Sequence, residues 1–302
     1  MSHDHHAHSH APHSMNTAFA IAVLCNFIFA DLQLGYAFYA NSVSLMADAV
    51  HNLADVLGLA LAWAASWLST RKPALNKYSY GYKKTTILSA ALNSCLLMAS
   101  SLCIIGLAIH KLFHLTEINT PVVIILASAG ILVNCGTALL FMKEAHHDLN
   151  IKGAFLHLLN DALISLGVVI AAVIIHFTHT LWLDPALSLM IVGIILKGAW
   201  SLLTDSVRLI LDAVPRHIDH TAVEQFLLKQ PHVTSVHDVH IWGLSTKEVA
   251  LTAHLVGPKQ ILSDAEYHHI NTALKSQFNI DHATLQIEYQ HDGYPCHQGE
   301  KC

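Results

Sequence analysis

The chain has 302 residues, 53% of them hydrophobic and only 12% charged, with a mean hydropathy of +0.45. Those values exclude a large soluble globular domain and suit a chain that crosses a membrane several times. A formal charge of −5 leaves no electrostatic footprint for nucleic acid, while 25 histidines point to borderline metals or to titration near neutral pH.

The N-terminal stretch MSHDHHAHSHAPHS holds His3, His5, His6, His8, His10 and His13. It lacks the basic start and small-residue cleavage site of a signal peptide, so the first apolar segment is expected to stay in the mature chain. Its composition reads as a cytoplasmic metal-binding tail over residues 1–14, too polar to build a core.

Six apolar stretches of spanning length follow, near 15–38, 43–68, 85–110, 121–142, 151–177 and 183–204. An even count puts both termini on one side. Arg71, Lys72, Lys77, Lys83 and Lys84 lie between the second and third segments, and Lys143 and Lys152 between the fourth and fifth. The opposite loops offer only Lys111, so the positive-inside rule places both termini in the cytoplasm. His146 and His147 in the fourth-to-fifth loop form a small histidine pair. Cys25, Cys95, Cys103 and Cys135 lie in apolar runs and read as buried packing residues.

Near residue 212 the chain turns polar, so 15–211 reads as a six-helix membrane domain and 212–302 as a small cytoplasmic domain. IDHTAVEQFLLKQ predicts a helix capped by Asp219. VTSVHDVHIWGL and KEVALTAHLVG predict two strands, the second alternating. SDAEYHHINTALKSQF opens with Ser263 and carries Glu266 three residues on, a capping box. ATLQIEYQ predicts a third strand. The order α-β-β-α-β gives a compact α+β domain with helices on one face of a sheet. His268 and His269 fall mid-helix and read as surface residues. The tail CHQGEKC puts Cys296 and Cys302 in a polar segment suited to metal or redox chemistry.

The second segment contains ADAVHNLAD, costly inside a bilayer unless its polar groups find partners. His51 and Asp55 are four apart and share one helix face. The fifth segment repeats the spacing in HLLND, with His157 and Asp161. Two imidazoles and two carboxylates from two helices make a tetrahedral donor set suited to Zn²⁺. Paired His–Asp hydrogen bonding without metal is the structural alternative. Binding needs neutral imidazole, so zinc competes with protons, and a site exposed to each side in turn would exchange the two. The donor set favours Zn²⁺ over Cd²⁺, and Co²⁺ is of similar size. Asp31 and Asp48 read as packing or entrance residues, Asn26, Asn134 and Asn160 as candidates for bonds across helices, and Asp184 as a helix start.

SLMADAVHNLADVLGLALAW, AFLHLLNDALISLGVVIAA, LDPALSLMIVGIIL and VHDVHIWGLS together resemble the cation diffusion facilitator family, in its zinc-transporting branch, over about residues 15–290. The resemblance implies a homodimer of six-helix subunits, with a ferredoxin-like cytoplasmic domain and proton-driven export of zinc; the short fourth-to-fifth loop and the N-terminal place of the histidine tract point to a bacterial protein of the inner membrane. It implies His51, Asp55, His157 and Asp161 as the transport ligands. It implies His237, His254 and Glu288 as cytoplasmic zinc ligands, with His240 and His282 near the same surface and Cys296 and Cys302 joining a second metal. Lys77 and Asp212 match an ion pair linking membrane and soluble parts in some relatives. KYSYGYKKTTILSAA departs from the family, which often carries an acidic residue where Thr85 and Thr86 stand. An intramembrane metallohydrolase is the enzyme alternative, but the chain has no H-E-x-x-H. A metal sensor is the other, and it has no need of a membrane-buried four-ligand site.

Overall fold

In the computed structural model, residues 13–71, 77–142, 149–258 and 263–289 are described. His3, His5, His6, His8, His10, His146, His147, Cys296 and Cys302 lie outside them. The elements are α1 His13–Ala40, α2 Val43–Ser69, α3 Thr85–Phe113, α4 Thr120–Phe141, α5 Leu149–Thr178, α6 Leu183–Ile210, α7 His220–Leu228, β1 Ser235–Gly243, β2 Val249–Gly257, α8 Asp264–Phe278 and β3 His282–Tyr289. Each of α1–α6 contains a stretch long and apolar enough to cross a membrane. Two compact units emerge, 1–60 with 93–200 and 61–92 with 201–302.

The first unit packs small residues where helices meet. Ala37, Ala40, Ala47, Ala108, Ala127 and Ala172 are buried beside Leu45, Ile104, Val168 and Ile191. Small side chains let backbones approach closely, which drives association when lipid and core are equally apolar. At Gly58 an added Cβ would stand 2.2 Å from Asn93 Oδ1, so any larger residue would displace the Asn93 side chain. Large apolar side chains such as Phe38, Trp63, Leu132 and Phe177 point outward. The membrane cysteines follow that inverted logic: Cys25, Cys95 and Cys103 are exposed and Cys135 is half-buried, not buried as expected. An apolar helix face is content against lipid, so low polarity does not imply burial in protein.

One polar hub ties four helices together. Asn41 takes a left-handed conformation (φ 52°) and closes α1. The next helix is capped from afar by Asp184 of α6, which accepts from Val43 N (2.8 Å), Ser44 N (3.2 Å), Ser42 Oγ (2.6 Å) and Ser44 Oγ (2.5 Å). Lys111 of α3 lies 3.2 Å from the same carboxylate and donates to Asn41 O. Asp184 does stand in the first turn of α6, but its hydrogen bonds serve the N-terminus of α2. Asn134 is buried with its Nδ2 unpartnered, so that nitrogen makes no bond across helices.

In the second unit β1 and β2 run antiparallel, β2 and β3 parallel, in the order β1-β2-β3. Val223 and Leu227 of α7 and Ile270 and Leu274 of α8 cover one sheet face, against Ile241, Leu251, Ala253 and Leu255. Asp219 caps α7 by accepting from Thr221 N (2.9 Å) and Ala222 N (3.2 Å). Ser263 and Glu266 form the expected capping box, and the Ser263 amide and hydroxyl hold the Glu266 carboxyl below its ordinary range. The central strand β2 is buried on both faces rather than alternating, because His254 is covered as well as the core side. Asp212 pairs with Lys84 at 2.7 Å, correcting the expected Lys77 pair. Lys84 sits one residue before α3, whereas Lys77 lies seven residues upstream, with no ion pair among the described residues. Lys83 pairs with Glu248. Thr86, at the place of the missing acidic residue, accepts from Thr246 N at 3.1 Å, so a neutral hydroxyl makes the contact there.

Candidate metal centres

The membrane cluster grows out of α2 and α5. His51 Nε2 lies 3.4 Å from Asp55 Oδ2 on its own helix and 3.5 Å from Asp161 Oδ1 on the other. His157 Nε2 lies 3.1 Å from Asp55 Oδ2 and 3.6 Å from Asp161 Oδ2. Donors around a tetrahedral ion with bonds of about 2.0–2.1 Å stand roughly 3.3–3.4 Å apart. The four distances bracket that edge. Asp55 Oδ2 is buried. His51, Asp55 and Asp161 offer ligand atoms within 4.8 Å of one another, and His157 approaches both carboxylates. The imidazoles meet edge to face, with centroids 6.2 Å apart.

Two carboxylates carry two negative charges, which a divalent cation balances. Exposure is uneven: the side chain of His157 is 49% exposed, against 12% for His51 and 6% for Asp161. His157 therefore stands on the open side. One turn away a second polar layer pins the same helices. Asp48 Oδ2 accepts from Gln33 Nε2 of α1 (2.7 Å) and Ser165 Oγ of α5 (3.0 Å). Asp48 is fully buried and acts in helix packing, whereas Asp31 is exposed.

The second cluster is built on the sheet face opposite the helices. His237 pairs directly opposite His254, and Gln286 faces His254 on the other side. Glu288, two residues on, shares that face. Its Oε1 lies 2.8 Å from His254 Nδ1 and its Oε2 3.0 Å from His237 Nε2. A bulge between His237 and His240 turns His240 onto the same face, where regular alternation would have sent it to the core. Asp238 occupies the bulge with φ 51°, a left-handed conformation that aspartate tolerates better than most residues.

Sequence reasoning passed over Asp238. Its Oδ1 lies 2.9 Å from His240 Nε2 and its Oδ2 3.4 Å from His254 Nε2. The order His240, Asp238, His254, Glu288, His237 forms an unbroken line of alternating imidazole and carboxylate. The signal available in VHDVHIW was an aspartate, a poor strand former, in mid-strand. His282 belongs elsewhere. It starts β3 opposite Ala250, six residues and about 20 Å from Glu288. Its ring packs against Tyr80, 5.9 Å between centroids.

Residues 19–211 match the cation efflux transmembrane domain, and residues 215–290 the cytoplasmic domain of cation efflux proteins. This chain belongs to the cation efflux family. Family members are membrane-embedded transporters of metal cations, so the protein is an integral membrane transporter and not an enzyme. The metal cation efflux system protein CzcD of Cupriavidus metallidurans is 32% identical over 297 residues, covering 98% of this chain and 92% of that one. The zinc transporter ZitB of Escherichia coli is 33% identical over 308 residues, covering 100% and 96%. A Bacillus velezensis relative described as a cadmium, cobalt and zinc/H(+)-K(+) antiporter is 30% identical over 295 residues, covering 95% and 94%.

Proposed function

We propose that this cation efflux protein exports Zn²⁺ from the cytoplasm in exchange for protons, with His51, Asp55, His157 and Asp161 as the transport ligands. The observation that carries this reading is the approach of two His–Asp pairs from α2 and α5, each imidazole nitrogen lying 3.1–3.6 Å from both carboxylates. The names of the ZitB and Bacillus relatives support zinc and proton coupling. Neutral imidazoles and ionised carboxylates take Zn²⁺ from the cytoplasm. Protons arriving from the far side occupy the imidazoles and expel the ion. Alternating exposure of the site to the two sides makes the exchange vectorial. Both termini then lie in the cytoplasm of a bacterial inner membrane. Residues 1–14 form a tail, 15–211 the membrane domain and 212–302 the cytoplasmic domain of a homodimer.

His237, His254 and Glu288 would hold a resident zinc that stabilises or regulates the dimer. Their fit rests on the donor chemistry: two imidazole nitrogens and a carboxylate whose facing atoms lie within 4.8 Å of one another. Bound there, zinc would supply a cross-link between three strands, its chemistry structural. Cys296, Cys302 and the N-terminal histidines are candidates for a fourth donor or for a further metal with His282.

The test is zinc uptake into proteoliposomes under an imposed pH gradient, beside His51→Ala. Gradient-driven uptake that vanishes in the variant is expected. Uptake equal in both would remove the membrane cluster from transport and turn attention to the cytoplasmic ligands.

A further inference from the structure

Two buried polar atoms on α2 are left over from the bonds around the membrane cluster. Asp48 Oδ1 and His51 Nδ1 are both buried and neither has a hydrogen-bond partner. The two residues are three apart, so they share one face of α2. A helical side chain leans over the turn before its own Cα, which lays the His51 ring toward Asp48. Both side chains reach the same stretch of α5: Asp48 Oδ2 meets Ser165, and His51 Nε2 meets Asp161 one turn away. They are near enough for their charges to act on each other.

Helix packing accounts for only one oxygen of Asp48. Gln33 and Ser165 both donate to Oδ2, and the carbonyl of an asparagine would accept both without carrying a charge. A carboxylate in a membrane helix is costly, so the second oxygen calls for a use of its own. His51 has the matching need. Its Nε2 faces Asp55 and Asp161, so a metal held there leaves the ring proton on Nδ1. His157 is half exposed and water can serve its far nitrogen, whereas the His51 side chain is largely covered. We propose that Asp48 is a positioning residue for zinc transport: its Oδ1 accepts the Nδ1 proton of His51 through one water, which holds the ring with the Nε2 lone pair toward the ion. The water spans two atoms that make no direct bond and finds an acceptor in one and a donor in the other. The inference rests on the reading of His51 as a transport ligand.

The test compares zinc KM and maximal rate of gradient-driven uptake in proteoliposomes for the unaltered protein, Asp48→Asn, Ser165→Ala and His51→Ala. Asp48→Asn keeps a carbonyl for Gln33 and Ser165 and turns an NH₂ donor toward Nδ1. It should raise KM about 10–100-fold, the usual cost of losing the group that orients a metal-bound histidine, with the maximal rate largely kept. Ser165→Ala disturbs only the Oδ2 side and should leave KM near that of the unaltered protein. Ring ¹⁵N spectra of the unaltered protein at saturating zinc give a second reading that needs no folded Asp48 variant, the His51 signals being assigned by their loss in His51→Ala. Zinc on Nε2 and a hydrogen-bonded proton on Nδ1 are expected, and zinc on Nδ1 would overturn the proposal. Equal KM shifts in Asp48→Asn and Ser165→Ala would make Asp48 a packing residue alone. An unmoved KM in Asp48→Asn, where His51→Ala abolishes uptake, would overturn the positioning role and leave the zinc site standing. Uptake unaffected by His51→Ala would remove the transport reading itself, and this inference with it.

Discussion

His157 Nε2 of α5 lies 3.1 Å from Asp55 Oδ2 of α2, so the two His–Asp pairs meet across the helix interface. Removing Asp161 would leave three donors and a single carboxylate against a divalent cation in an apolar setting. Asp161→Ala is therefore expected to lower the initial rate of zinc uptake roughly 100-fold or more, beyond what loss of a merely orienting group costs. His157→Ala should behave alike despite its greater exposure. Ser165→Ala, one turn further along α5 and bonded to Asp48, should leave more than a tenth of the rate. Equal losses in Asp161→Ala and Ser165→Ala would mean that helix packing, not ion ligation, sets the rate.

The donor chemistry also fixes the direction of the pH response. Imidazole binds metal only when neutral. Affinity at the membrane cluster should therefore fall as pH drops, with up to two protons taken up per zinc released. Zinc titration of the purified protein at about pH 7.5 and 5.5 in buffers of different ionisation enthalpy reads both affinity and proton count. A pH-independent affinity would rule out the histidines as ligands.

His51 and Asp55 were legible because a four-residue spacing shows one helix face, and the repeat at His157 and Asp161 supplied the other half. The six membrane helices and the α-β-β-α-β order were legible for a similar reason, since hydropathy and caps are local signals. What stayed hidden depends on tertiary placement. Asp184 caps a helix that begins 141 residues earlier in sequence (Val43 against Asp184), and no local pattern announces that. Lys77 and Lys84 lie in one basic loop, and only the fold chose Lys84 for Asp212. The bulge that brings Asp238 and His240 to the face of His237 and His254 breaks the two-residue period on which strand reading relies. The cysteines misled because the sequence marks apolarity and not which apolar phase a side chain meets.

The Asp184–Lys111 pair is nearly inaccessible, at 2% and 6% side-chain exposure. Breaking a buried pair by deleting one partner typically costs about 3–5 kcal/mol, because the other charge is left unmatched. Asp184→Ala also strips the N-terminus of α2 of its acceptor, so it should be the more severe of the two single changes. Lys111→Met keeps the cap and should be milder. Thermal unfolding of the purified variants in one detergent tests the order. A Lys111→Met protein less stable than Asp184→Ala would place the weight of the hub on the ion pair rather than on the cap.

Asp238 offers the sharpest test of the cytoplasmic cluster. His254 turns Nδ1 toward Glu288 and Nε2 toward Asp238, so a carboxylate on the Nε2 side favours the tautomer that carries its proton on Nε2. Asp238→Asn removes the charge and keeps the shape, including the left-handed backbone that asparagine also accepts. Zinc affinity at the cytoplasmic cluster should fall by about 10–100-fold, measured on a background of Asp161→Ala to silence the membrane ligands. The melting temperature without zinc should barely move, and the His254 ring nitrogens should change their ¹⁵N shifts as the Nε2 proton loses its carboxylate. A melting temperature that falls without zinc, with the affinity unaltered, would make Asp238 a residue of the bulge alone.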